Sequence, residues 1–169
     1  YGIAEAIKCG CIKNEKLFKI FENENFENNL DEIIKRSIAV KKQLAEKDEF
    51  DLGERKLLNF GHTLGHAYEK LGNFETFSHG EAVSIGMNEI TKISEKLGLT
   101  KAGTAERLAE VLKKNSLPVS SSFAKKDVLK AVLHDKKISG SFIDLAVLKS
   151  IGSSFIHRVP CSKIADFLS

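Results

Sequence analysis

Residues Asp51–Glu81 read DLGERKLLNFGHTLGHAYEKLGNFETFSHGE. Leu57, Leu58, Leu64 and Ala67 recur there at helical spacing, which predicts an amphipathic helix over Glu54–Leu71 with Gly72 just past its end. On that helix Asn59, His62 and His66 follow Arg55 by four, seven and eleven residues. At about 100° per residue these four side chains form one polar stripe roughly 60° wide, opposite the leucines. Gly61 and Gly65 lie beside the histidines, where a missing Cβ lets another group come close. Ser78-His79-Gly80-Glu81 has the serine and glutamate of a capping box, so the next helix starts there, runs to about Leu97 and ends at Gly98.

A stripe of arginine, asparagine and two histidines backed by an apolar face has the character of a site wall. Arginine offers a planar fork to carboxylate or phosphate. Asparagine offers a neutral donor and acceptor, and two histidines one turn apart can bind a metal. A histidine taken alone reads rather as a half-buried structural residue, and it is the four together that point to function. His79 can meet His62 if the two helices run antiparallel, and Glu5, in an otherwise apolar helix, can add a carboxylate. One carboxylate and two imidazoles, with positions left for water or substrate, make a catalytic rather than a structural zinc arrangement. Glu5 also reads as a solvent-facing or capping acid, and spacing leaves both readings open. Lys8 follows Glu5 on the same helical face. Lys41, among Lys35, Arg36 and Lys42, and the pair Lys136-Lys137 have the surroundings of surface lysines. His134 and His157 show no partner pattern and read as structural or surface residues.

Outward from this stretch, the pattern is helical on both sides. Gly2–Ile12 reads as a helix on Ile3, Ile7 and Cys11, and Asn14 caps a short one holding Leu17, Phe18, Ile20 and Phe21. Residues 22–29 read as a polar loop and Leu30–Ala45 as a long helix with Ile33, Ile34, Ile38, Val40 and Leu44 on its apolar stripe. Lys47–Gly53 reads as an acidic connection. Thr100 is the expected cap of a helix to Lys114, stopped by Asn115 and Pro118, and Lys126–His134 reads as another. Phe142, Leu145, Val147 and Leu148, then Phe155, Ile156 and Val159, flank Ser150–Ser153 as a hairpin. Ser162–Leu168 reads as a last short helix. The expected fold is mainly α: a multi-helix domain over residues 1–169 with a small antiparallel β-hairpin near the C-terminus.

Composition narrows the function. The 169 residues are 42% hydrophobic and 29% charged, which suits one globular domain. A net charge of +3 with mixed signs gives no footprint for nucleic acid. There is no run of about 18 apolar residues to span a membrane, and the start of the chain is no signal peptide. Cys9, Cys11 and Cys161 include no CxxC and point to packing residues in a reduced, cytoplasmic protein. No two glycines are separated by a single residue, which excludes GxGxxG, and Thr104 stands where the Walker spacing from Gly98 and Gly103 needs lysine. The only methionine is Met87, and the chain opens inside an apparent helix, so it reads as a fragment.

The ordered motifs Arg55…Asn59-Phe60-Gly61-His62-Thr63…Gly65-His66-Ala67 and His79-Gly80-Glu81-Ala82-Val83…Ile85-Gly86-Met87 resemble the C-terminal domain of 3-dehydroquinate synthase. Gly2-Ile3-Ala4-Glu5-Ala6-Ile7-Lys8 resembles that family's metal-binding helix, and Asp135-Lys136-Lys137 with Val147-Leu148…Ile151-Gly152 its C-terminal signature. The resemblance spans nearly the whole chain, densest at 1–12 and 41–98. It implies an enzyme that uses NAD and a divalent metal, zinc or cobalt, to convert 3-deoxy-arabino-heptulosonate 7-phosphate into 3-dehydroquinate and phosphate in the shikimate route. The implied metal ligands are Glu5, His62 and His79. The implied substrate contacts are Lys8, Lys41, Arg55, Asn59, His66 and Lys137 rather than Lys136. Asp51 stands where the family usually has glutamate, and Leu64 where phenylalanine is common.

The implied reaction oxidises a ring hydroxyl, eliminates phosphate, reduces the ketone, opens the ring and closes a carbocycle. An anion-binding set of Lys8, Lys41, Arg55 and Lys137 suits a sugar phosphate that also carries a carboxylate. The resemblance also implies an N-terminal NAD-binding α/β domain preceding this region and a homodimer of the full-length enzyme, with the fragment alone inactive. Competing readings are another sugar-phosphate cyclase, such as a deoxy-inosose synthase, a metal-dependent polyol dehydrogenase, and a non-catalytic helical metal-binding module. Ferritin-like carriers use ExxH pairs, and the sequence contains none.

Overall fold

A computed structural model describes residues 2–46, 53–136 and 141–169. Helices α1 (Gly2–Lys13), α2 (Glu15–Asn23) and α3 (Leu30–Glu46) come first. A 3₁₀ segment, Glu54–Asn59, then leads into α4 (His62–Leu71) and α5 (His79–Lys96). Helices α6 (Thr104–Lys114) and α7 (Lys125–Lys136) precede strands β1 (Phe142–Ser150) and β2 (Ser153–Pro160), and α8 (Ile164–Phe167) follows. The strands pair antiparallel, with Leu145 opposite His157 and Val147 opposite Phe155. Gly152, at φ +83°, makes the turn. The fold is thus the expected one, mainly helical with a C-terminal hairpin.

Its core explains where the site lies. Helix α1 packs against α2, α3, α5 and β2, and everything from Ala6 to Ile12 is buried. Ile7, Ile12, Leu17, Phe18, Phe21, Ile85, Met87, Leu108, Leu112 and Ile143 are all essentially inaccessible, each worth about 1.5–3 kcal/mol in burial. Cys9 and Cys11 belong to the same core, and Cys161 is half-buried. Glu5 and Lys8 therefore sit on a central, immobilised helix rather than on a surface one. Helix α5 is the second spine, buried along most of its length from Gly80 to Ser94.

Four local expectations change. Glu54–Leu71 is not one helix: the chain runs through the 3₁₀ segment, turns at Phe60 and starts α4 from Gly61 at φ +79°. The cause is packing, because Gly61 lies against Met87 and the carbonyl of Val83 on α5, where a Cβ has no room. Residues 22–29 are not all loop: Asn25 accepts a hydrogen bond from the Glu27 amide and starts a 3₁₀ turn over Phe26–Asn29. Thr100 does not cap α6. Its hydroxyl is buried between Ser94 Oγ and the Leu148 carbonyl, both 2.6 Å away, and Gly103 takes the cap position. Ile34 and Ile38 are not core residues; they stand 55% and 59% exposed on α3. By contrast, Asn14 caps α2 and Ser78 with Glu81 closes its capping box on α5 as the sequence indicates.

Candidate metal and substrate site

Three helices meet at the site. Glu5 lies on α1, His62 opens α4 and His79 opens α5. The tight α4–α5 crossing sets their approach. A Cβ at Gly86 would collide with the Gly61 carbonyl, and one at Gly65 would press on Ala82 and Val83. The glycines beside the histidines thus admit the α5 backbone rather than a ligand.

One ligand atom each from Glu5, His62 and His79 lies within 4.8 Å of the others. His62 Nε2 stands 3.9 Å from Glu5 Oε1, too far for a hydrogen bond. The His62 and His79 rings are 5.3 Å apart between centroids. Divalent zinc takes carboxylate and imidazole ligands at about 2.0–2.2 Å, so one ion held by all three would draw these atoms closer together than they stand here. The donor set, one carboxylate and two imidazoles, fits such a cation. His62 Nδ1 faces the Phe60 carbonyl at 3.2 Å, which leaves Nε2 toward Glu5. Burial, with the Lys8 charge behind it, pushes the His62 imidazole down to about 4. It is neutral at physiological pH, the form that binds metal.

The cations behave differently from one another. Lys8 is only 2% exposed and donates to Glu5 Oε1 at 2.8 Å. Burial lowers its ammonium below the usual lysine value despite the Glu5 charge. Burial works to raise the Glu5 carboxyl, but Lys8, with His62 and Lys41, outweighs it and holds the carboxyl low. Lys41 is half-exposed, its Nζ 3.7 Å from Glu5 Oε2. Arg55 and Asn59 are exposed on the 3₁₀ segment. They are not on one helical stripe with His62 and His66, because the turn at Gly61 separates the two pairs. His66 is exposed one turn beyond His62, its ring 5.7 Å from His62 and 6.2 Å from His79. Asp51 and Lys137 lie outside the described residues. His134 is exposed, and His157 stacks on Phe167 at 5.3 Å.

Sequence reasoning missed Glu69. Its Oε1 lies 2.8 Å from His79 Nδ1, and with His66 and His79 it forms a second group of potential ligands. Its signal was its place three residues after His66, on the same face of α4. Lys56 was also missed. Its Nζ reaches Asp144 Oδ2 on β1 at 2.7 Å and ties the 3₁₀ segment to the hairpin.

The chain is 47% identical over 162 residues to the 3-dehydroquinate synthase of Clostridium perfringens (strain SM101), covering 93% of this chain and 46% of that protein. It is 44% identical over 172 residues to that of Clostridium acetobutylicum, covering 99% and 48%. The chain thus spans about half the length of the curated relatives it matches. Among solved structures, 2-epi-5-epi-valiolone synthase of Streptomyces hygroscopicus, with NAD+ and Zn2+ bound, aligns with a TM-score of 0.80 at 21% identity. That alignment covers 98% of this chain and 49% of that one. A 2-deoxy-scyllo-inosose synthase complexed with carbaglucose-6-phosphate, NAD+ and Co2+ aligns at TM-score 0.73 and 19% identity, over 98% and 50%. At such identities the likeness is one of fold. Residues 2–138 match the family described as 3-dehydroquinate synthase C-terminal, and the chain belongs to that family.

Proposed function

We propose that this chain is the metal- and substrate-binding part of a 3-dehydroquinate synthase. It would convert 3-deoxy-arabino-heptulosonate 7-phosphate into 3-dehydroquinate and phosphate, with NAD held mainly by an α/β part outside residues 1–169. The observation that carries this reading is the convergence of Glu5, His62 and His79 from three helices beside Lys8 and Lys41. A divalent cation held there, zinc or cobalt, would lower the pKa of a bound substrate hydroxyl, so that the carbon bearing it can give up hydride to NAD.

The chain's own residues then divide the work. Glu5, His62 and His79 hold the ion. Lys8, buried against Glu5, supplies a positive charge beside the substrate. Lys41 and Arg55, exposed at the rim, bind its carboxylate and phosphate oxygens, and Asn59 hydrogen-bonds a hydroxyl. His66 stands within one turn of His62 and accepts or returns a proton at a substrate hydroxyl oxygen. Asp51 and Lys137 complete the contact set on the family pattern. The active enzyme is a homodimer of the longer chain.

The first test is metal content. Protein purified with zinc should hold one ion per chain, and His62→Ala combined with His79→Ala should hold none. Equal content in both would sink the ligand assignment. Phosphate release by the full-length enzyme from the heptulosonate phosphate, against the substrates of the valiolone and inosose synthases, decides the substrate. Turnover of one of those sugar phosphates instead would make the protein a different cyclase of this fold.

A further inference from the structure

We infer that Glu69 is a positioning residue for His79: its carboxylate fixes the tautomer and rotation of that imidazole and so presets the metal site. The inference rests on the ligand reading above and adds a residue to it. Glu69 Oε1 stands 2.8 Å from His79 Nδ1, and both side chains are largely shielded, at 12% and 30% exposure. A carboxylate at that distance accepts a hydrogen bond and requires the proton on Nδ1. The ring then carries its lone pair on Nε2, on the opposite edge. The Glu5 and His62 ligand atoms lie within 4.8 Å of a His79 nitrogen, and with Nδ1 protonated the nitrogen able to ligate is Nε2.

The two other members of the triad also have polar contacts within the protein. His62 Nδ1 faces the Phe60 carbonyl at 3.2 Å, and Glu5 is held by Lys8 at 2.8 Å. The elements make the Glu69 contact dependable. Helix α4 carries both His62 and Glu69, and the glycine-lined crossing fixes α4 against the first turn of α5, where His79 lies. A partner of this kind orients a ligand and raises its basicity, and its loss typically costs 10–100-fold in metal affinity. Glu69 also belongs to the geometric group His66, Glu69 and His79, so direct ligation is the competing role.

Two substitutions separate these roles. Zinc affinity is measured by chelator competition on the wild-type chain, Glu69→Ala, Glu69→Gln and His62→Ala. Glu69→Ala should bind zinc about 10–100-fold more weakly. Glu69→Gln, whose amide oxygen can accept the same hydrogen bond, should recover most of that loss. Loss as large in Glu69→Gln as in Glu69→Ala would make Glu69 a ligand and overturn the inference; wild-type affinity in Glu69→Ala would also overturn it. If His62→Ala binds zinc as wild type does, the ligand reading itself fails. The imidazole ¹⁵N spectrum of the metal-free chain tests orientation without any ion. It should show His79 protonated at Nδ1 in wild type and a mixture of tautomers in Glu69→Ala. A wild-type His79 protonated at Nε2 ends the proposal even if the variants fail to fold.

Discussion

His62 and His66 are one turn apart on α4, yet their surroundings differ. His62 is enclosed against α1, lowered by burial and by Lys8, and faces Glu5. His66 stands exposed, with its ring near both His62 and His79. Substituting His66→Ala should leave zinc content at wild type while turnover of the full-length enzyme falls about 100-fold or more, the scale of a lost proton-transfer group. Parallel loss of zinc would instead assign His66 to the metal. At this scale the sequence carried a good deal. The family resemblance of its ordered motifs implied Glu5, His62 and His79 as ligands, and the structure brings those three side chains together. The sequence did not reveal that Lys8 is buried on Glu5, because a lysine three residues after a glutamate is equally common on a solvated face. Nor did it reveal Glu69, whose partner is ten residues away on another helix.

The elements that matter most are α4 and α5, and their contact depends on absent side chains. Gly86 lies directly over the Gly61 carbonyl, and that same carbonyl accepts the Gly65 amide at 2.9 Å. Added bulk at Gly86 would push on the first hydrogen bond of the helix that carries His62, His66 and Glu69. Gly86→Ala is therefore expected to destabilise the chain by about 3 kcal/mol, the upper range for an overfilled interior, and to weaken zinc binding as well. Urea unfolding and chelator competition measure the two effects. A variant with unchanged midpoint and affinity would show that the crossing relaxes freely. The apolar spacing predicted helix across Glu54–Leu71, and most of that stretch is helical in some form. The break at Gly61 escaped the reading because an isolated glycine inside an apolar period is compatible with an uninterrupted helix. Only the proximity of Met87 and Val83 demands its positive φ.

For the whole molecule, the hairpin is a brace for the site as well as a core layer. Asp144 on β1 accepts from Arg158 Nε and Nη2 at 2.7 and 3.0 Å and from Lys56 Nζ at 2.7 Å. Lys56 belongs to the segment that bears Arg55 and Asn59, so the hairpin, far along the chain, anchors that segment. The hydrogen bonds from Arg158 and then Lys56 hold the Asp144 carboxyl well below the usual carboxylate range. Between the folded and unfolded values the unfolded chain binds the extra proton. The contribution to stability is therefore complete above about pH 4 and lost as the pH falls through the folded value. Asp144→Asn should lower the urea midpoint at pH 7, and its difference from wild type should shrink on acidification below about pH 4. A difference that stays constant with pH would mean that the carboxylate charge is not what stabilises the brace. Among the described residues no helix is long and apolar enough to cross a membrane.

The sequence by itself determined the helical class, the C-terminal hairpin, the caps at Asn14 and Ser78, and the chemistry-bearing residue types, because periodicity, capping and motif order act over a few neighbouring positions. Tertiary structure alone decided the turn at Gly61, the burial of Thr100 and Lys8, the exposure of Ile34 and Ile38, and the pairing of Glu69 with His79. Each of these depends on which remote surface arrives at a given face, and that is set by how the helices cross rather than by the residues beside it in the chain.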